Sequence, residues 1–230
     1  MPINKNIINK AVILAGGKGK RFRPYSFVLP KPLIPFQSNE PLISNIINKV
    51  TKAGIKNFHF SLGYLDILVK SYLLTKFKNK INLNFITEKK ELGTAGPLRL
   101  INKLKKGERL FILNGDIITD LNFKKILKYY EKITFDILVF VYQKKTKSSF
   151  GIIETRGLNL TRIVEKPTSL SKINTGIYII NSDIISLIPK NSFFTMVDLI
   201  NLSLKLKKKV IIHEFTEKWK SIESPEDLNQ

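Results

Sequence analysis

Ala11-Val-Ile-Leu-Ala-Gly-Gly-Lys-Gly-Lys-Arg-Phe-Arg-Pro24, followed by Leu29-Pro-Lys-Pro-Leu33, is the stretch that decides the reading of this chain. An apolar strand runs into a glycine-rich loop, and the loop ends on basic residues. Gly16, Gly17 and Gly19 remove side chains where a backbone must turn sharply and approach something closely. The N–H groups exposed in such a turn can cradle phosphate oxygens. Arg21 and Lys31 add fixed positive charge beside that cradle. The combination suits a nucleoside triphosphate. A Gly-x-Gly pattern by itself also marks ordinary strand–helix turns, so the loop alone does not decide. It is not a Walker loop, because no Gly-Lys-Ser/Thr opens a helix. It is not a clean dinucleotide fingerprint either, because Pro24 and the prolines from Pro30 to Pro35 interrupt the helix that should follow.

Composition narrows the class. The 230 residues, 43% of them hydrophobic, are enough for one well-packed α/β domain and few for two. The absence of cysteine removes disulfides and thiolate metal sites, and is compatible with a reducing cytoplasm. Apolar runs are short and flanked by charge, so no membrane-spanning segment is expected. Met1 to Asn9 lacks the apolar core of a signal peptide. The expectation is a cytoplasmic protein with no membrane partner. The net charge of +21 raises nucleic acid as a partner. Yet the lysines are spread along the whole chain, and neither zinc-finger spacing nor an RNA-recognition sequence is present. A solvated lysine-rich surface, and no nucleic-acid partner, is the expectation.

Strand-like and helix-like runs alternate through the first half. Ala11–Leu14, Phe58–Leu62, Leu83–Ile86, Leu110–Leu113 and Ile137–Tyr142 read as strands. Pro41–Lys52, Leu65–Phe77, Gly96–Leu104 and Phe123–Lys132 read as helices between them. That alternation predicts a mainly parallel sheet covered on both faces, with ligands at the carboxyl ends of its strands. In the second half, Gly151–Glu154, Leu160–Val164 and Gly176–Ile180 read as strands joined by short loops. Ser182–Ile188 and Met196–Leu206 read as helices, and Lys209–His213 as a returning strand. The division is expected to be a nucleotide-binding half, 1–120, and an acceptor-binding half, 121–230, within one domain.

Three further segments carry chemistry. Asn114-Gly-Asp116 follows the apolar run Leu110–Leu113, and a carboxylate at the end of a buried strand is well placed to hold Mg²⁺. An Asn-Gly-Asp turn is equally common without any metal. Leu92-Gly-Thr-Ala-Gly-Pro-Leu98 could pack its glycine backbone flat against a base or ribose, or it is a helix start with Thr94 as the cap. Val164-Glu-Lys-Pro167 with Lys172-Ile-Asn-Thr-Gly-Ile-Tyr178 is, in isolation, a surface turn and a strand. His59 and His213 are lone histidines in apolar strands and read as structural. Asp66, Asp120 and Asp198 read as caps or solvated carboxylates.

Taken in order, these segments resemble the signature of sugar-1-phosphate nucleotidyltransferases, and Leu92–Leu98 is similar to the heptapeptide of the mannose-1-phosphate guanylyltransferases among them. Lys20 departs from the Ser or Thr usual at its place, a change that a backbone-dominated loop tolerates. The resemblance implies a single three-layer, Rossmann-like α/β domain with a mixed, mostly parallel sheet, Mg²⁺ as cofactor, and a nucleoside triphosphate and a sugar 1-phosphate as substrates. GTP and mannose 1-phosphate rank first, a heptose or glucose phosphate with GTP, UTP, CTP or dTTP is the open alternative, and no appended β-helix or tandem domain is expected. It implies nucleotide contacts along Leu14, Ala15, Gly16, Gly17, Gly19, Lys20, Gly93 and Thr94. It makes Arg21, Lys31, Asp116 and Lys166 the catalytic set, and Gly151, Glu165, Lys166, Asn174 and Gly176 the sugar-phosphate site. Phe150-Gly-Ile-Ile153 matches an aromatic-glycine segment whose backbone touches the sugar. Glu88, five residues before Gly93, stands where the family places a base-reading side chain. A carboxylate accepts hydrogen bonds only, which suits the two adjacent donors of guanine; a solvated strand end is the other reading. Small relatives often pair, so a homodimer is compatible.

One family landmark is altered. The second metal-binding Asp of Trp-x-Asp-Ile-Gly-x-Pro is replaced in Trp219-Lys-Ser-Ile-Glu-Ser-Pro225 by Ser221, a poorer Mg²⁺ ligand. Glu223, two residues along and on the same face if the strand continues, is the candidate second ligand. A catalytically impaired nucleotide- and sugar-phosphate-binding homologue is the alternative.

Overall fold

The computed structural model describes residues 7–36 and 39–229. Thirteen strands are defined in chain order: β1 (Ile8–Leu14), β2 (Pro35–Phe36), β3 (Glu40–Pro41), β4 (Asn57–Leu62), β5 (Asn82–Thr87), β6 (Arg109–Asn114), β7 (Ile117–Thr119), β8 (Ile137–Lys147), β9 (Ile152–Arg156), β10 (Asn159–Val164), β11 (Thr168–Asn181), β12 (Val210–Phe215) and β13 (Trp219–Ser221). Four α-helices accompany them: α1 (Leu42–Lys52), α2 (Asp66–Phe77), α3 (Phe123–Tyr130) and α4 (Met196–Lys205).

Seven strands form one sheet in the order β12-β8-β11-β6-β1-β4-β5. Four of its six pairings are parallel, and only β11 runs against both its neighbours. The apolar runs in β1 and β6 are continuous because both sheet faces are covered, so successive side chains feed opposite cores. Ala11, Ile13, Phe111 and Leu113 meet α1, α2 and α3 on one face. Val12, Leu110 and Ile112 meet Leu98, Ile184, Met196 and Leu199 on the other. Helix α1 buries Leu42, Ile43, Ile46, Ile47 and Val50, the stripe that helical periodicity requires. Phe111 and Phe123 stack edge-on with ring centroids 4.9 Å apart. The result is the expected three-layer α/β arrangement with a mixed, mostly parallel sheet.

Several sequence expectations need correction. Gly96–Leu104 is not an α-helix; a 3₁₀ turn covers Gly96–Leu100 and ends where Ile101 is extended and Lys103 takes a φ of 60°. Ser182–Ile188 is likewise a 3₁₀ turn over Ser182–Leu187. After the glycine loop, three short 3₁₀ turns (Lys20–Phe22, Tyr25–Phe27, Lys31–Leu33) replace a helix, as the proline spacing demands. β8 and β11 are far longer than their apolar cores, because Lys144–Lys147 pairs with Thr168–Ser171 as an exposed ladder, supplemented by Ser169 Oγ donating to Thr146 O at 3.3 Å. A ladder with no buried side chains leaves no periodic signal.

That extension has a consequence for stability. Residues 144–172, including the β9–β10 hairpin, contain no buried residue, and Phe150, Ile153, Leu158 and Leu160 are all exposed. A two-stranded hairpin without a packed face is marginal in water. Amide exchange followed by mass spectrometry should therefore be slowest in β1 and β6 and fast throughout β9 and β10. Equal protection of the two regions would contradict this packing.

Candidate active site

Parallel neighbours β1 and β6 end side by side, with Leu14 in register with Asn114. The glycine loop leaves β1 where Asn114-Gly-Asp116 leaves β6, and the Gly115 N–H donates to the Leu14 carbonyl at 2.9 Å. On the other side, the Ala15 N–H donates to Ser61 O at 2.9 Å and the Tyr64 N–H to Gly16 O at 3.3 Å. Gly63 is required for this approach, and Gly115 leaves little room for a side chain. A Cβ on Gly63 would lie 2.8 Å from Gly16 O, and one on Gly115 3.2 Å from Leu14 O. The loop is thus held at its base, while the N–H groups of Gly17, Lys18 and Gly19 donate to no acceptor among the described residues.

These segments line a cavity of about 680 Å³. Leu14, Ala15, Gly16, Gly17, Gly19, Lys20, Arg21, Lys31, Glu88, Gly93, Thr94, Asp116 and Glu223 all face it. Two ion pairs lie within it. Lys31 Nζ bonds to Asp116 Oδ2, with both side chains largely covered. The Lys31 ammonium also sits 5.6 Å above the Phe22 ring. Arg21 Nη1 bonds to Glu223 Oε2 nearer to solvent.

Asp116 fits a divalent cation. Its Oδ1 is buried and has no hydrogen-bond partner, so one hard oxygen is available. Among the described residues no group of three or more His, Cys, Asp or Glu forms a metal cage. A divalent cation at a triphosphate needs no such cage, since one or two carboxylates together with phosphate oxygens and water commonly suffice. Ser221 pairs with Ile117 across β13–β7, and the Ile222 N–H donates to Asp116 O at 3.0 Å. The altered landmark therefore stands beside Asp116. The strand ends at Ser221, so the same-face argument for Glu223 does not hold; Glu223 enters the cavity from beyond the strand and engages Arg21 instead.

Glu88 is not a solvated strand end. Its Oε1 accepts from Ser61 Oγ at 2.6 Å, and its Oε2 accepts from the Leu92 N–H at 3.3 Å. A Cβ on Gly16 would lie 2.6 Å from Oε1, so the first loop glycine is required for the carboxylate to lie under it. Thr94 does not cap its own turn. Its Oγ1 accepts from the Met196 N–H at 2.8 Å, at the start of α4. Helix α4 also carries a capping box between Thr195 and Asp198. Asp66 pairs with Lys70 one helical turn on, and Asp120 is solvated. His213 Nδ1 meets Tyr130 Oη at 3.1 Å, and burial pushes the pKa of both histidines down, in keeping with a structural role.

The acceptor residues are placed differently. Gly151, Glu165 and Lys166 lie on the exposed hairpin and do not line the cavity. Asn174 Oδ1 accepts from Tyr178 Oη at 2.9 Å. Gly176, with φ 73°, lies so close to Asn114 that a Cβ would fall 2.4 Å from its Nδ2. Since Asn114 lines the cavity, this contact joins the root of the hairpin to it. Sequence reasoning missed Ser61, Tyr64, Phe193 and Thr195, which also line the cavity. The carboxyl-end rule applied to Phe58–Leu62 would have found the first two; no local signal marked the others.

The Nucleotidyl transferase family model matches residues 10–228. The chain belongs to that family. Curated relatives include the mannose-1-phosphate guanyltransferase of Yarrowia lipolytica, 33% identical over 186 residues, covering 78% of this chain and 51% of the relative. The mannose-1-phosphate guanyltransferase beta-A of Xenopus laevis is 34% identical over 177 residues, covering 74% and 49%. The chain thus spans about half the length of the curated relatives it matches. Among solved structures, HddC from Yersinia pseudotuberculosis complexed with GMP-PN superposes with a TM-score of 0.73 at 23% identity, covering 96% of this chain and 97% of that one. A Bacillus anthracis putative glucose-1-phosphate thymidylyltransferase gives 0.76 at 23%, covering 96% and 92%. At these identities the superpositions speak for the fold. The described residues include no helix long and apolar enough to cross a membrane.

Burial raises the Glu88 carboxyl above its ordinary value of 4.5, against the pull of the Ser61 and Leu92 donors. The folded state therefore binds this proton more tightly than the unfolded chain, and stability falls as pH rises from 4.5 through the raised value. Below that window both states are protonated and the stabilisation is fully present. Thermal melts of wild type and Glu88→Gln between about pH 4 and about pH 7 should show the wild type losing stability relative to the variant. A constant difference would contradict the burial of an ionising group.

Proposed function

We propose that the protein transfers a nucleotidyl group from a nucleoside triphosphate to a sugar 1-phosphate. An oxygen of the sugar phosphate attacks the α-phosphorus, a nucleotide-sugar forms, and pyrophosphate leaves. The observation that carries this reading is the convergence of Gly17, Arg21, Lys31 and Asp116 on one cavity. The attacking phosphate is already ionised near neutral pH, so no protein nucleophile is needed. Catalysis then rests on alignment and on neutralising charge.

The roles proposed are those the family resemblance implies, and the shared cavity supports the ones at the glycine loop, Lys31 and Asp116. The free N–H groups of the glycine loop cradle the triphosphate. Arg21 takes the β- and γ-phosphates, and Lys31 bridges the triphosphate and the attacking phosphate. Both cations must first exchange carboxylate partners for phosphate oxygens, so the ion pairs hold them in place until substrate arrives. Asp116, joined by Glu223 once Arg21 has turned to phosphate, is the residue that would hold Mg²⁺, which supplies charge neutralisation at the phosphates when bound. The sugar end is assigned to the hairpin side, with Glu165 and Gly151 on its hydroxyls and Lys166 on the acceptor phosphate. Asn174 and Gly176 connect that side to Asn114.

GTP and mannose 1-phosphate are the proposed pair. The relatives named mannose-1-phosphate guanyltransferase, 33% and 34% identical to this chain, support it. So does Glu88, a carboxylate on the cavity wall with lone pairs left for the adjacent donors of guanine.

Pyrophosphate release with Mg²⁺ and a panel of sugar phosphates and triphosphates tests the reaction. Arg21→Ala and Lys31→Ala should each lower turnover by about two decades or more, the scale for losing a preorganised charge stabiliser. Absence of turnover with every pair would reject the transferase reading. Ser221, in the place of a metal carboxylate beside Asp116, favours a second reading in which substrates bind without turnover. Activity that appears only in Ser221→Asp would establish it.

A further inference from the structure

We infer that Phe193 is the aromatic platform on which the base of the bound nucleotide stacks, a role that rests on the nucleotidyl-transfer reading of the cavity. A clamp joins two segments remote in sequence, Leu92–Gly96 and Phe194–Met196. The N–H groups of Ala95 and Gly96 both donate to Phe194 O, at 2.9 and 3.0 Å, and the Phe194 N–H donates to Leu92 O at 2.9 Å. Thr94 Oγ1 completes it by accepting from Met196. Gly93, with φ 74°, allows the approach, since a Cβ there would lie 2.6 Å from Phe194 O. The backbone that follows Phe193 is therefore held in place.

The two adjacent phenylalanines diverge. Phe194 packs against the core formed by Leu98, Met196 and Leu199. Phe193 is left 60% exposed on the cavity wall. No aromatic ring or cation of the described residues packs on its face. A large apolar ring next to anchored backbone, on the wall of an open cavity and without an aromatic or cationic partner among the described residues, is a stacking surface.

Its place selects the ligand group. The polyphosphate end of the cavity is the glycine loop with Arg21 and Lys31. Phe193 belongs to the wall made by Gly93 and Thr94, next to the Leu92 amide that holds Glu88. That is the nucleoside end. The hairpin residues assigned to the sugar do not line this wall. Every base offers a π-face, so stacking here adds affinity without choosing among bases. Choice is left to hydrogen bonding at Glu88.

Titration calorimetry without acceptor separates these roles, using GTP, UTP and inorganic tripolyphosphate as probes. Phe193→Ala should weaken GTP and UTP alike by about tenfold, within the range measured for base–aromatic contacts. Tripolyphosphate affinity should be unchanged, and Phe193→Tyr should keep wild-type binding of all three. Unchanged GTP affinity in Phe193→Ala, or an equal loss for tripolyphosphate, would overturn the stacking role while leaving the transferase reading intact. Failure of the wild type to bind any of the three would overturn both.

Discussion

The adjacency of β1 and β6 is the constraint on which this molecule's chemistry depends. Two parallel strands, buried on both faces, end level with each other, and the Gly115 amide seals the junction to Leu14. The chain leaving each strand must then turn over the same edge of the sheet. One turn presents free amides and the other a carboxylate. Neither sequence segment has a specific meaning alone, because glycine turns and Asn-Gly-Asp turns are both common. Their registration on neighbouring strands makes them one site.

Charge management is the second theme. With 39 basic and 18 acidic residues, the chain has cations in excess, yet the two cations central to the cavity are each matched with a carboxylate. A covered lysine left alone would bear a desolvation penalty, and so would a covered aspartate. Pairing Lys31 with Asp116 offsets part of both penalties and holds two groups of opposite sign where a polyphosphate and a cation would each need one. Asp116 keeps one unpartnered oxygen even so. The site is arranged before substrate arrives, which is the condition for electrostatic stabilisation to be effective.

Much of this was legible in the chain. Continuous apolar runs such as Leu110–Leu113 identify doubly covered strands, and the prolines after Arg23 exclude a helix. The parts that escaped share a physical cause. Lys144–Lys147 and Thr168–Ser171 form a ladder by backbone bonds, which no side-chain period reports. Thr94 looks like a local cap, but its acceptor serves a helix more than a hundred residues away. The surroundings of Glu88 depend on Ser61 and on the missing side chain of Gly16, both brought in by sheet order. Phe193 owes its position to a clamp with Leu92–Gly96, a contact that only the three-dimensional fold creates. Sequence pattern identifies the elements and the site's core; cross-chain contacts decide which side chains are fixed and which face the ligand.

A crystal structure with GTP bound and no acceptor present is the most direct test of the shared polyphosphate site. The triphosphate should lie against the amides of Gly17 to Gly19, with Lys31 released from Asp116 toward the phosphates. GTP seated outside the cleft between the glycine loop and Asp116, with the Lys31–Asp116 pair intact, would contradict it.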